Sequence, residues 1–277
     1  MEERAKSKES RALLWLLIGL LFLRFPFIIL SRFGIGPLSR ETANICFEYA
    51  DYALIALAIL VCRDRLADYH IDLPALVLFL TAPILKLFAL YQILSGRFAN
   101  QTANPWVNVV LACLLFAALL RWKPSVEKRG AKEIVFWILV TFAASFCLSI
   151  VTGRTLQIYG AYCPPDTPFS LHLGTFCFQL GYAATLEEPL FRGFLWGFLK
   201  ECGWRDITIC FFQAALFMLG HLYYLGTYSL MFFIGIPALG LVLGLLVWKS
   251  RSIGTSMLAH AFINSDFGFL VSALVWR

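Results

Sequence analysis

Two adjacent glutamates and an arginine, Glu187, Glu188 and Arg192 in "TLEEPLFRGF", stand inside one of the most apolar parts of the chain. A carboxylate screened from bulk water beside an imidazole can take a proton from a water molecule and turn it into a nucleophile. On a helix Glu188 and Arg192 are four residues apart and share a face, so the guanidinium fork can hold that carboxylate in an ion pair. Glu187 lies about 100° further round the helix and has no such partner there. One carboxylate reads as structural and the other as free for chemistry.

The imidazoles come from later in the chain. Of four histidines, two fall deep in apolar runs: His221 in "FMLGH" and His260 in "HAFIN". On helices Phe217 and His221 share one face, as do His260 and Asn264. Counted at the helical rise from the nearest flanking basic residue, Glu187 lies roughly 20 Å deep, His221 roughly 24 Å, and His260 and Asn264 roughly 13 and 20 Å. In a hydrocarbon layer about 30 Å thick all four occupy the middle band. A glutamate with an imidazole can activate water, while an asparagine amide and a second imidazole can donate to the oxyanion formed when that water attacks a carbonyl. The chemistry is amide hydrolysis within a membrane, with direct attack by water, since no serine or cysteine stands in these stretches as an acyl-forming nucleophile. Glu187, His221 and His260 could instead hold zinc with an open position, although no H-E-x-x-H is present and asparagine is a poor zinc ligand. No cofactor is the preferred expectation.

The elements that must position these residues follow from composition. The chain is 60% hydrophobic and 14% charged, with 26 Phe and 8 Trp, more apolar surface than a water-soluble fold can hide. Apolar runs of about 20 residues without strand-like alternation satisfy their backbone in lipid only as helices. The reading is an all-α, polytopic transmembrane bundle of eight or nine spans, near 13–30, 45–62, 73–94, 105–121, 133–152, 169–199, 206–225, 228–248 and 253–276. The sixth holds Pro189 and is too long for one straight crossing, which predicts a span plus a short re-entrant or interfacial piece. The first contains Arg24 and Pro26 and lacks a small-residue exit, so it reads as a span rather than a cleaved signal. No internal repeat or soluble domain is visible.

With the N-terminus inside, the inner segments hold fifteen Lys and Arg, and the outer ones only Arg32, Arg40, Arg97, Arg154 and Arg277. This predicts a cytoplasmic N-terminus and explains the net charge of +6 as topology rather than as a nucleic-acid surface. Within the spans, Arg24, Lys86, Glu48 and Asp51 are expected to neutralise one another or reach toward headgroups. The eight cysteines form no C-x-x-C pair and read as small apolar residues. The "NQT" at Asn100 carries little weight.

In order on successive C-terminal spans, "EEPLFRG", "FMLGH" and "HAFIN" resemble the signatures E-E-x-x-x-R, F-x-x-x-H and H-x-x-x-N/D of the CAAX-protease and bacteriocin-processing family, intramembrane endopeptidases that include the type II CAAX prenyl proteases. The resemblance covers roughly Ser170 to Phe267. It implies a cavity within the membrane, Glu187 and His221 activating water, His260 and Asn264 stabilising the oxyanion, and Glu188 with Arg192 as a structural pair. The family's metalloprotease label keeps zinc in view. Residues 1–152 read as transmembrane helices of unassigned role and 153–277 as the protease core, in a multi-pass protein of the inner (cytoplasmic) membrane. The implied partners are the lipid bilayer and a membrane-associated peptide or protein, prenylated or carboxy-terminal in some relatives, with no nucleic acid. A non-catalytic immunity or scaffold protein and a proton-coupled transporter are the other readings; the transporter lacks the internal repeat such folds often show.

Overall fold

The computed structural model describes residues 2–93, 104–160 and 167–275. Asn100, Arg97, Cys163 and Arg277 lie outside them. Among the described residues the chain is a bundle of helices, named here in chain order: α1 (Glu2–Phe22), α2 (Ile28–Arg32), α3 (Arg40–Val61), α4 (Leu73–Phe88), α5 (Pro105–Trp122), α6 (Ala131–Gln157), α7 (Phe169–Gln179), α8 (Thr185–Glu188), α9 (Trp196–Glu201), α10 (Asp206–Leu219), α11 (Ile236–Ser250), α12 (Ile253–Asn264) and α13 (Asp266–Val275). Among the described residues six helical stretches are long and apolar enough to cross a membrane. Three segments expected to span are less simple: α10 rises only about 21 Å, α12 and α13 are separated at Ser265, and 169–199 carries three charges, Glu187, Glu188 and Arg192. The protein is a multi-pass membrane protein.

Short polar residues start several helices by accepting backbone N–H groups that have no partner inside the helix. Ser39 caps α3 through Thr42, Asp72 caps α4 through Ala75, Asn104 caps α5 through Trp106, and Ser252 caps α12 through Gly254. Outward-facing side chains such as Trp15, Leu120 and Leu139 are exposed and apolar, as a surface solvated by acyl chains requires. One continuous apolar core runs from Leu13 on α1 to Ile263 on α12. Within it α12 packs against α4, α6, α7 and α11, while α1 packs against α3 and the segment 189–195.

At the end of the bundle carrying the N-terminus, three connections are knotted together. Arg129 reaches Asp72 at 2.5 Å and donates to the Arg251 carbonyl at 2.9 Å. The Ser252 hydroxyl donates to the same aspartate at 2.8 Å, and Ile253 N–H donates to the His70 carbonyl at 2.8 Å. These bonds set the start of α12, and so the height at which His260 sits.

His70 lies in this knot, 5% exposed and in the left-handed backbone region at φ 56°. Burial, reinforced by the positive charge of Arg251, pushes its imidazole down to about 4 from an ordinary 6.5. The unfolded chain therefore binds a proton here near pH 6.5 that the folded chain refuses until about pH 4. Stability contributed by neutral His70 is full above that window and is lost as pH falls through it. Asparagine tolerates positive φ, so His70→Asn is expected to keep the fold and flatten the fall in detergent-solubilised melting temperature between pH 7 and pH 5. An unchanged slope would remove His70 from the account.

Candidate functional site

The helix bearing Glu187 does not break at Pro189. From Phe169 to Glu201 the chain stays helical, about 50 Å by helical rise, by widening twice into π-helical turns at Leu180–Ala184 and Pro189–Leu195. Proline has no N–H to give and its ring crowds the carbonyl one turn back. A π turn leaves room for both, and Pro189 keeps ordinary right-handed dihedrals. The Thr185 hydroxyl donates to the Leu180 carbonyl within the first widened turn. The expected re-entrant piece is therefore replaced by one continuous, locally wider rod.

Glu188 is fully buried and carries more than the expected ion pair. Arg192 Nη1 donates to its Oε1 at 3.3 Å, and His260 Nδ1 donates to the same oxygen at 2.7 Å. Arg192, also fully buried, gives a second hydrogen bond to the Gly240 carbonyl at 3.2 Å and lies over the Phe217 ring at 4.6 Å. Glu188 thus joins the middle of the long rod to α12 and orients the imidazole there. With Nδ1 committed, His260 turns Nε2 toward Glu187 Oε2 at 3.8 Å.

Glu187 has no partner on its own helix, but it is not unpaired. Arg24, in the π-helical turn between α1 and α2, donates from Nη1 to Glu187 Oε1 at 2.8 Å. The other span charges pair among themselves as expected, with Glu187 as an added partner of Arg24. Lys86 pairs with Glu48, which also accepts from Asn108 at 3.1 Å, while Arg24 divides itself between Asp51, at 3.8 Å, and Glu187. Glu187 Oε2 is enclosed and has no hydrogen-bond partner.

His221 is displaced from its expected place within a span. Helix α10 ends at Leu219, and His221 follows in a turn. Its Nδ1 donates to the Phe217 carbonyl at 2.8 Å, capping a helix end that would otherwise leave that carbonyl bare. A carbonyl only accepts, so Nδ1 holds the proton and Nε2 is left with its lone pair. Asn264 is the last residue of α12, one turn beyond His260.

Glu187, His221, His260 and Asn264 all line one cavity of about 440 Å³. Glu188 and Arg192 stand behind it. The far ends of the cavity wall are Arg32, at the end of α2, and Asn44, near the start of α3, so the cavity occupies the half of the bundle opposite the N-terminus. Among the described residues no three His, Cys, Asp or Glu side chains are grouped as a metal site requires.

The family model described as Type II CAAX prenyl endopeptidase Rce1-like matches residues 169–265. The match spans about a third of the chain. Neither a curated protein nor a solved structure matches the chain. The Rce1-like segment contains every residue singled out for the site, and the match supports, at family level, a CAAX-type intramembrane endopeptidase. Two charged cavity residues, Arg24 and Arg32, were not singled out for the site, and both lie outside the Rce1-like segment. For Arg24 a signal existed: it sits thirteen residues from Arg11, about 20 Å by helical rise, the same depth as the one mid-membrane carboxylate left without a partner.

These contacts separate the two glutamates experimentally. Arg192→Ala strands Glu188 in the core, which should cost about 3–5 kcal/mol and reduce the monodisperse yield on size exclusion. Glu187→Gln leaves Arg24 facing Asp51 and should purify and melt like wild type. Equal losses in the two variants would contradict the separation.

Proposed function

We propose that this protein hydrolyses a peptide bond near the carboxyl terminus of a membrane-associated substrate, by water activated between Glu187 and His221. The observation that carries the reading is the convergence of Glu187, His221, His260 and Asn264, from three separate helical segments, on one cavity. Glu187 Oε2 and His221 Nε2 are both acceptors, so a water held between them donates a hydrogen to each and turns a lone pair outward. As its oxygen bonds to the substrate carbonyl carbon, Glu187 takes a proton and the carbonyl oxygen becomes an oxyanion. The Asn264 amide is one donor for that oxyanion, and the second is His260 as an imidazolium, with its Nδ1–H on Glu188 and its Nε2–H turned to the cavity. The proton on Glu187 then passes to the departing nitrogen, the C–N bond breaks, and an acid and an amine are left.

Arg32 supports the carboxy-terminal part of the reading. It lines the same cavity, lies over the Tyr223 ring at 4.8 Å, has an enclosed Nε without a hydrogen-bond partner, and has no acidic partner among the described residues. Eight residues separate it from Arg24, about 12 Å of helical rise, and three residues of extended peptide span about 10 Å. A free α-carboxylate three residues beyond the scissile bond would reach the Arg32 guanidinium.

The deciding experiment compares membrane-protein and peptide termini between wild type and a Glu187→Gln allele at equal expression in the native host. Glu187-dependent termini about three residues short of the encoded end support the reading, and Arg32→Gln should then raise KM for those substrates about tenfold, the loss of roughly one charge-assisted hydrogen bond. Absence of such termini while the gene is expressed would favour a non-catalytic role. We further propose that no metal takes part: cleavage should persist in 1,10-phenanthroline, and inhibition reversed by added zinc would overturn this.

A further inference from the structure

Arg24 enters the site from the first membrane-crossing helix, far in sequence from every other residue that touches Glu187. Its guanidinium is held on three sides. Nη1 donates to Glu187 Oε1 at 2.8 Å, Nη2 faces Asp51 Oδ2 at 3.8 Å, and the plane covers the Phe47 ring at 4.6 Å. Phe47 and Asp51 are one turn apart on α3, and both are buried.

A glutamate carboxylate rotates easily about its last bond. In this cavity that freedom would be harmful, because either oxygen could turn toward Arg192 or the imidazoles. The bond from Arg24 removes it: Oε1 is occupied, and Oε2 alone faces the space beside His260 and His221. We infer that Arg24, braced by Asp51 and Phe47, is a positioning residue that fixes Glu187 as a carboxylate with Oε2 as its reactive oxygen. The inference rests on the reading of Glu187 as the group that activates water. It makes the first two helices of the chain part of the site, not only a scaffold around it.

Asp51 gives the arrangement a second control. One guanidinium is shared between two carboxylates, so removing the cation and removing the competing anion should act on Glu187 in opposite directions. The charged and titratable groups facing Glu187 are Arg24 from the first helix, Asp51 from α3, Tyr182, Glu188 and Arg192 on its own rod, His221, Tyr223 and Tyr224 beyond α10, and His260 from α12. Arg24 and Asp51 can be changed without touching the bonds within the Glu188–His260–Arg192 group.

The test uses dicyclohexylcarbodiimide, an apolar reagent that adds to protonated carboxyl groups. It needs no substrate. The full-length protein, folded as judged by size exclusion, is labelled at neutral pH, and modification of Glu187 and Glu188 is followed over time by mass spectrometry of the peptide containing both. Arg24→Gln should label Glu187 about tenfold faster than wild type, the change in protonated fraction that one unit of proton affinity brings. Arg24→Lys, which keeps the charge but loses the fork, should fall between them, and Asp51→Asn should label no faster than wild type. Glu188 should keep its wild-type rate throughout.

Labelling of Glu187 at the wild-type rate in folded Arg24→Gln would overturn the inference. So would parallel acceleration at Glu187 and Glu188, which is what general loosening produces. Should Arg24→Gln not fold, Arg24→Lys and Asp51→Asn still decide the matter, since equal acceleration in both contradicts the opposed directions. A negative termini comparison with the expected labelling pattern would end the protease reading and leave the Arg24–Glu187 assignment standing.

Discussion

A charge inside hydrocarbon has to be answered by another charge or by a hydrogen bond, and in this bundle most of the answers come from other helices. Lys86 on α4 meets Glu48 on α3, with Asn108 on α5 as a third member. Arg24 meets Asp51 and Glu187, and Arg192 and His260 both meet Glu188. Apolar side chains alone would pack these rods with little preference for register, since lipid tails are as apolar as leucine. The pairs supply the register, because a slip of one turn would separate a guanidinium from its carboxylate. Small residues let the rods close to the required distance: a side chain on Gly181 would strike the Ala82 carbonyl and the Lys86 stem.

The long rod shows how this constraint and local chain chemistry are reconciled. Glu187, Glu188 and Arg192 point toward three different neighbours, the first helix, α12 and α11, within two turns. An ideal helix places successive side chains about 100° apart, and the π turns on either side of Glu187 and Glu188 change that phase. Such turns often occur at functional sites. Here their effect can be named: Glu188 faces α12 while Glu187 faces the first helix and the cavity.

What could be read from the sequence follows the range of each interaction. The Glu188–Arg192 contact is local, four residues on one helix, and the all-helical membrane class follows from composition. The bond from His260 to Glu188 joins positions 72 apart, and no spacing rule reaches that far. Pro189 was read as a breaker because proline removes a hydrogen bond, yet a π turn offers the chain another way to keep going. His221 was placed inside a span although Gly220 directly before it, and the polar run after it, are ordinary signs of a helix end. Its position just beyond α10 frees one ring nitrogen for the cavity, which a mid-helix histidine could not have provided in the same way.

The separation of Arg24 and Glu187 by 163 residues bears on how the chain is made. Synthesis runs from the N-terminus, so the first hydrophobic segment enters the bilayer with its guanidinium long before the sixth exists. Asp51 arrives early, on the very next segment. The aspartate that later shares Arg24 is thus also available as its companion during insertion, holding the first two helices as a pair until Glu187 is threaded beside them. The order of the genes' codons, on this view, matches the order in which the membrane can accept the charges.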